Sequence, residues 1–268
     1  MFSVLILTLN EERSLPGCLA SVRGCDDVVV LDSGSTDRTA EIARAAGARV
    51  VTRPFDNFAG QRNFAQRQIP FRHPWVFHLD ADEQMTPELI AECRERVLAE
   101  VDGFMVAPKM MFEGKWIPHC TDFPAYQARF VQAPRFEFVQ VGHGQREAPQ
   151  MALGHLSASY LHDLSAGGVD EWLAKHRRYA RQEAAEHSRE ASGVPWLQLI
   201  SRERLARRRA LKRLSYALPF RPTLRFLYQY VIRRGFLDGR PGLHYCRLLA
   251  RYESFAVEEL RQLHSTGR

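Results

Sequence analysis

Residues 28–37 read VVVLDSGSTD, an unbroken apolar run that ends in an acid and a string of small polar residues. A continuous β-branched run suits a strand buried on both faces, as parallel sheets require. In the loop that follows, Ser33, Gly34 and Ser35 are small enough for backbone to approach a ligand. Thr36 or Asp37 can cap a helix over 38–46, which Gly47 stops. The pattern recurs to either side. Residues 3–9 (SVLILTL) run into Asn10-Glu11-Glu12, residues 14–23 carry Leu15, Leu19 and Val22 at helical spacing, and 49–52 give a third strand. Residues 75–79 (WVFHL) form a fourth, delivering Asp80-Ala81-Asp82-Glu83, after which Thr86-Pro87 opens a helix from 88 to about 100. Strands alternating with helices predict an α/β protein with a mostly parallel sheet flanked by helices.

Residues 103–162 are short, aromatic and β-rich, and predict the far edge of the sheet with loops over the site. From residue 169 the pattern is helical, with Trp172, His176 and Tyr179 at one face and a break at Gly193-Val194-Pro195 before a second helix over 196–218. Two domains follow: a catalytic α/β domain over 1–165 and a basic helical extension over 166–268. Charge divides at the same place. Residues 1–165 hold 16 Lys and Arg against 21 Asp and Glu, a net −5, and residues 166–268 hold 21 against 10, a net +11.

With 268 residues, 45% hydrophobic and 25% charged, the chain is an ordinary folded protein, and collagenous, low-complexity and disordered classes are excluded. No run approaches the roughly 18 apolar residues that would span a bilayer, and MFSVLILTLNEER lacks a basic leader and a small-residue cleavage site. Five scattered cysteines with no CxxC pair predict reduced thiols in a cytoplasmic protein.

Ligands of open α/β sheets bind beyond the carboxyl ends of the strands. Three polar loops fall there: Asn10-Glu11, 32–37 and 80–82. Acids at i and i+2 on a tight turn can be aimed into one cleft, where hard oxygens suit Mg²⁺ or Mn²⁺ and the ion keeps substrate phosphates as ligands. A D-x-D alone is commonplace as a solvated turn; behind a buried strand, with DSGSTD upstream, it reads as a metal loop. Asp32 stands where it can accept from a nucleobase or ribose. Arg62, in FAGQRNF, offers a phosphate contact, against the plain alternative of a solvated Arg on a helix.

The motifs TLNEE, VVVLDSGSTDRT, GQRN and HLDADE, in this order, resemble the family 2 glycosyltransferases of the GT-A (Rossmann-like) fold. Trp116 to His119, Pro124 to Phe130, Glu147, His162, Lys175 to Ala180 and GFLDG at 235–239 are similar to the bacterial subgroup that contains lipopolysaccharide-core β-1,4-glucosyltransferases. The resemblance implies inverting transfer of a sugar, a UDP-hexose for preference, from a nucleoside diphosphate to an acceptor hydroxyl. Thr8, Asn10, Glu11, Asp32 and Ser33 would hold the nucleoside, with Arg62 at the diphosphate and Asp80 near ribose or metal. Asp82 would be the principal metal ligand and His162 a further one. Arg129 would hold donor phosphate or acceptor, or else form a buried ion pair. A hydroxyl acceptor needs a general base, for which Glu147 is the candidate, with Asp122 and Asp163 as fallbacks. Subgroup members often show His-Glu where this chain has Arg146-Glu147.

The run RERLARRRALKR at 202–213 precedes aromatic and aliphatic residues interleaved with Arg to residue 236. A solvated helical face is one reading. Apolar side chains beside guanidinium groups also suit an in-plane helix on an anionic membrane, so 196–236 predicts a peripheral enzyme at the inner face of the cell membrane acting on a lipid-linked saccharide. No helix-turn-helix, zinc or RNA-recognition signature accompanies the Arg residues, and no nucleic-acid partner is expected. Two other function classes remain. A nucleotidyltransferase acting on sugar phosphates also uses Asp and Mg²⁺, but its first loop is Gly-rich and basic where this one is acidic. A non-catalytic membrane or nucleic-acid adaptor would not need Asp80 and Asp82.

Overall fold

The computed structural model describes residues 1–142, 144–189, 201, 207, 210–211, 214–216 and 218–266. They form two compact units, one of residues 1–116 with 122–166 and one of residues 117–121 with 167–268.

The first unit is built on a seven-stranded sheet. β1 (Ser3–Thr8) is buried at all six positions, as its apolar run requires. It lies between β2 (Val28–Asp32) and, after β3 (Arg49–Thr52), β4 (Trp75–Asp80), all four strands parallel in the order β3-β2-β1-β4. The alternation of β1 divides the core: Val4 and Ile6 pack on the face with Leu15, Leu19 and Leu89, while Leu5 and Leu7 pack on the face with Ala65 and Ile69. Helix α1 (Leu15–Ser21) and α2 (Thr39–Ala45) make the first two crossovers, within the spans their periodicity predicts.

A third helix, α3 (Phe58–Gln68), is opened by Asn57, whose side chain accepts from the Gly60 N–H at 2.7 Å. After the two-residue β5 (Glu83–Gln84), Thr86 caps α4 (Pro87–Arg96) by accepting from Leu89 N–H at 3.2 Å. The helix ends at Arg96, short of the expected 100, because an Ala99-to-Arg96 turn brings the chain back toward β6 (Gly103–Val106).

The far half of the sheet departs from parallel order. After β7 (Lys109–Phe112) and β8 (Lys115–Trp116), β9 (Gln127–Gln132) inserts antiparallel between β4 and β6. A hairpin of β10 (Phe138–Val141) and β11 (Gly144–Glu147) stands apart as a two-stranded sheet. β12 (Leu153–His155) completes the main sheet beside β6. β13 (Leu161–Asp163) pairs with β5 and β7.

The second unit contains α5 (Gly168–Arg189), α6 (Arg221–Leu227) with a π-helical turn over Tyr228–Ile232, a 3-10 turn over Gly235–Asp238, and α7 (Gly239–Thr266). The Trp172, His176 and Tyr179 face is aromatic packing: His176 stacks on Trp172 at 3.5 Å between ring centres and meets Tyr252 of α7 edge-on. Segment 117–121 belongs to this unit through Asp238, whose carboxylate accepts from Cys120 N–H at 2.8 Å. All five cysteines are free thiols. The expected helix over 196–218 and the Arg-rich run 202–213 lie for the most part outside the described residues. Among the described residues, no helix is long and apolar enough to cross a membrane.

Candidate active site

Register gathers the three polar loops. Thr8 pairs with Asp32 across β1 and β2, and Leu7 pairs with Asp80 across β1 and β4, so the loops after these strands leave the same edge of the sheet. The first two hold each other. Asn10 takes a left-handed φ of 57°, a conformation Asn tolerates better than most residues. Its N–H donates to Ser35 Oγ at 2.8 Å, and its Oδ1 accepts from Thr36 N–H at 2.8 Å. Glu11 N–H donates to Thr39 Oγ1 at 2.8 Å.

Asp32 is buried. It accepts from Thr8 Oγ1 at 2.9 Å and Ser35 Oγ at 2.5 Å on one oxygen, and from Gly34 and Ser35 N–H on the other. A carboxylate offers about four acceptor sites, and all are taken within the chain. Asp32 therefore shapes the loop, and a nucleoside can reach its oxygens only by displacing one of these bonds. Ser33, half-buried, donates its N–H to the Thr8 carbonyl.

The acidic turn after β4 is enclosed by cations. Asp80 receives Arg62 at 2.7 Å and Arg129 at 3.2 Å. Burial alone would raise the Asp80 carboxyl, but Arg129 and Arg62 outweigh it and hold it well below the usual carboxylate range. Arg62 sits on α3 and is 1% exposed, so it meets Asp80 rather than open solvent, and the solvated-helix alternative does not describe it. Its Nε and Nη1 are buried without a hydrogen-bond partner. Arg129, on β9, makes the buried ion pair, reaching Glu83 at 2.7 Å as well as Asp80.

Glu83 is the residue that sequence reasoning passed over. It is fully buried, its Oε1 accepts from Arg129, and its Oε2 accepts from the Asp80 N–H at 2.8 Å. Burial pushes its carboxyl up to about 7 despite Arg129. The strand pairing of β5 with β13 sets Glu83 opposite His162. His162 Nε2 then lies 3.4 Å from Asp82 Oδ2 and Nδ1 3.7 Å from Glu83 Oε1. Burial disfavours the imidazolium, but the bond to Asp82 and the charges of Glu83, Asp82 and Asp80 push His162 up to about 9.

Asp80, Arg129, His162 and Glu147 line one open cleft of about 480 Å³, together with Phe58, Tyr126 and Gln127. Glu147 is half-buried in β11 and reaches the cleft because the hairpin packs against α3, where Asn63 exchanges hydrogen bonds with the Phe138 backbone at 2.7 and 2.9 Å. Asp163 accepts from Ser165 N–H and Oγ at 2.8 and 2.7 Å, and neither it nor Asp122 is among the described residues lining the cleft. Among the described residues no three His, Cys, Asp or Glu side chains stand as a ready metal cluster. The Asp82 and His162 pair nevertheless offers a divalent ion one hard oxygen and one imidazole nitrogen, 3.4 Å apart, a separation two ligands of one ion can span once the imidazolium gives up its proton.

The chain belongs to glycosyl transferase family 2, whose model matches residues 3–137. Its mostly parallel α/β sheet flanked by helices is the expected fold class. The chain is similar to the lipopolysaccharide core biosynthesis glycosyltransferase LpsC of Rhizobium meliloti, 39% identical over 107 residues, which cover 35% of this chain and 39% of that protein. An uncharacterized glycosyltransferase of Rickettsia typhi is 39% identical over 88 residues, covering 32% of this chain and 30% of that one. The chain thus spans less than half the length of these relatives. Among solved structures, S. aureus TarS 1–349 aligns over 100% of this chain and 92% of its own at 16% identity, with a TM-score of 0.48.

Proposed function

We propose that the chain transfers a hexose from a UDP-sugar, with inversion, to a hydroxyl of a lipid-linked or lipopolysaccharide-type saccharide at the cytoplasmic face of the cell membrane. The observation that carries this reading is one cleft bordered by an acid turn, a guanidinium, an imidazole and a separate carboxylate. The similarity to LpsC supports the lipopolysaccharide-type acceptor. The first unit is the catalytic domain, and the second serves the membrane and acceptor side.

The Asn10 and Ser33 loops cradle the nucleoside, and Thr8, Glu11 and Asp32 keep those loops in shape. Asp82 and His162 would hold a Mg²⁺ or Mn²⁺ ion, which would supply positive charge to the departing diphosphate. Asp80 anchors the turn and sets Arg129 against the donor phosphates, while Arg62 stiffens Asp80 from behind. Glu147 accepts the proton of the acceptor hydroxyl as that oxygen bonds to the anomeric carbon and the bond to the UDP oxygen breaks. Attack from the side opposite the leaving group gives inversion. Thermal shift against a panel of nucleoside diphosphates and nucleotide sugars, with and without Mn²⁺, tests the donor half, because bound ligand raises stability by mass action. A Mn²⁺-dependent rise with UDP or a UDP-sugar is expected. Silence from folded protein across the panel contradicts the reading.

A further inference from the structure

The stretch from residue 220 to 237 wears its amphipathicity inside out. A helix on a protein surface normally turns its apolar stripe to the core and its charges to water. Here Arg221 is buried, its Nε 2.7 Å from Glu253 and its guanidinium over the Tyr216 ring at 3.5 Å. Gln229 is buried and donates to the Cys120 carbonyl, and Asp238 is buried against Cys120 and His119 N–H groups. Most of the side chains left outside are apolar: Phe220, Leu227, Val231, Ile232, Phe236 and Leu237 are all exposed, Phe220 at 80% and Ile232 at 70%. Phe220 also holds a left-handed φ of 56°, a costly conformation for a bulky residue, which projects its ring from the start of α6. Single exposed apolar residues are ordinary; this many within eighteen positions mark a docking surface.

Charge selects the partner. Residues 205–237 contain no Asp or Glu, while Arg225, Arg233 and Arg234 lie within the stretch and Arg240 just beyond it, with Arg234 and Arg240 exposed. A second copy of the same face would set these guanidinium groups against their own kind. A bilayer offers both halves of the complement, phosphate for Arg and acyl chain for Phe, Leu and Ile. We propose that residues 220–237 dock in the plane of a membrane containing anionic phospholipid, with Phe220, Leu227 and Ile232 in the acyl boundary and Arg234 and Arg240 on lipid phosphates. The choice of partner rests on the membrane-borne acceptor proposed above, and no residue of 220–237 is among those that line the catalytic cleft.

Co-sedimentation of the full chain with vesicles of phosphatidylcholine, alone or mixed with phosphatidylglycerol, tests the proposal. Wild type should sediment with the anionic vesicles and only weakly with the neutral ones. Leu227→Asp with Ile232→Asp should weaken binding about tenfold or more for each side chain kept from the acyl boundary. Its thermal response to UDP and Mn²⁺ should match that of wild type, which reports on its folding. Should that variant misfold, Arg234→Gln with Arg240→Gln must still reduce anionic binding. Failure of wild type to sediment overturns the proposal, as does undiminished binding by folded variants of either kind. Binding lost only on neutralising 202–213, or a dimer by light scattering that the Asp variants dissolve, also overturns it. Loss of the nucleotide response with vesicle binding intact would sink the donor reading alone.

Discussion

Glu83 takes the Arg129 guanidinium on one oxygen at 2.7 Å and the Asp80 backbone N–H on the other at 2.8 Å. One buried carboxylate thus fixes both the cation that faces the cleft and the turn that carries Asp80 and Asp82. It also faces His162 across the β5 and β13 ladder.

Replacing Glu83 by Gln keeps the shape and removes the charge, leaving Arg129 buried with only Asp80 to neutralise it. Breaking one side of a buried ion pair costs about 3–5 kcal/mol. Denaturant unfolding of Glu83→Gln at pH 8, above the Glu83 value of about 7 so that the native carboxylate is charged, should show a loss of that order, and an unchanged midpoint would mean that the pair does not hold the turn.

Glu147 shares the cleft with Arg129 and His162 but belongs to a separate hairpin. On the proposed reading Glu147 is the base and acts in the transition state, so Glu147→Gln should lower kcat by about 10²- to 10⁴-fold with UDP-sugar affinity nearly unchanged. A variant that turns over normally, or that fails only by binding the donor poorly, would assign the proton to another group.

The first four strands, and the meeting of their loops, were legible because each strand is an apolar run that stops at a polar turn. Much else depended on distant pairing. β9 was not separable from its neighbours, since QARFVQ is buried on both faces and nothing local marks it as antiparallel. Helix α3 was hidden by its polar composition: Gln61, Arg62 and Gln66 are buried, against any apolar stripe. Glu83 stood in plain view after Asp82, but its partners come from β9 and β13. Asp238 similarly reaches back across 118 residues to Cys120.

Asp27, at the start of β2, anchors the sheet edge away from the site. Its buried carboxylate accepts from Ser3 Oγ at 2.6 Å, Arg72 N–H at 2.8 Å and Arg49 at 2.9 Å. Burial raises this carboxyl, but the three donors outweigh it and hold it below its ordinary value. The stabilisation is therefore present above about pH 4 and fades as pH falls through the depressed value. Asp27→Asn should cost about 1–3 kcal/mol at neutral pH, with the gap to wild type closing in acid. A gap that stays constant from neutral pH to below pH 3 would contradict this.

Gly242 is closely packed against backbone in the second unit. A Cβ there would stand 2.5 Å from the Gly235 carbonyl oxygen and 2.6 Å from Asp238 Cβ. Gly242→Ala should destabilise by about 1–3 kcal/mol, read as a lower melting temperature, because backbone must move to admit it. A neutral substitution would show that the turn at 235–238 is free to shift.

The central claim is that the Asp82 turn makes this cleft a metal-assisted sugar-transfer site, and release of UDP from a UDP-sugar in Mn²⁺, compared between wild type and Asp82→Ala, tests it most directly. Wild type should release UDP, faster once an acceptor saccharide is present. Asp82→Ala should stay folded, with a melting temperature lowered by loss of the His162 contact, yet release essentially none. UDP release by Asp82→Ala at the wild-type rate would contradict the account.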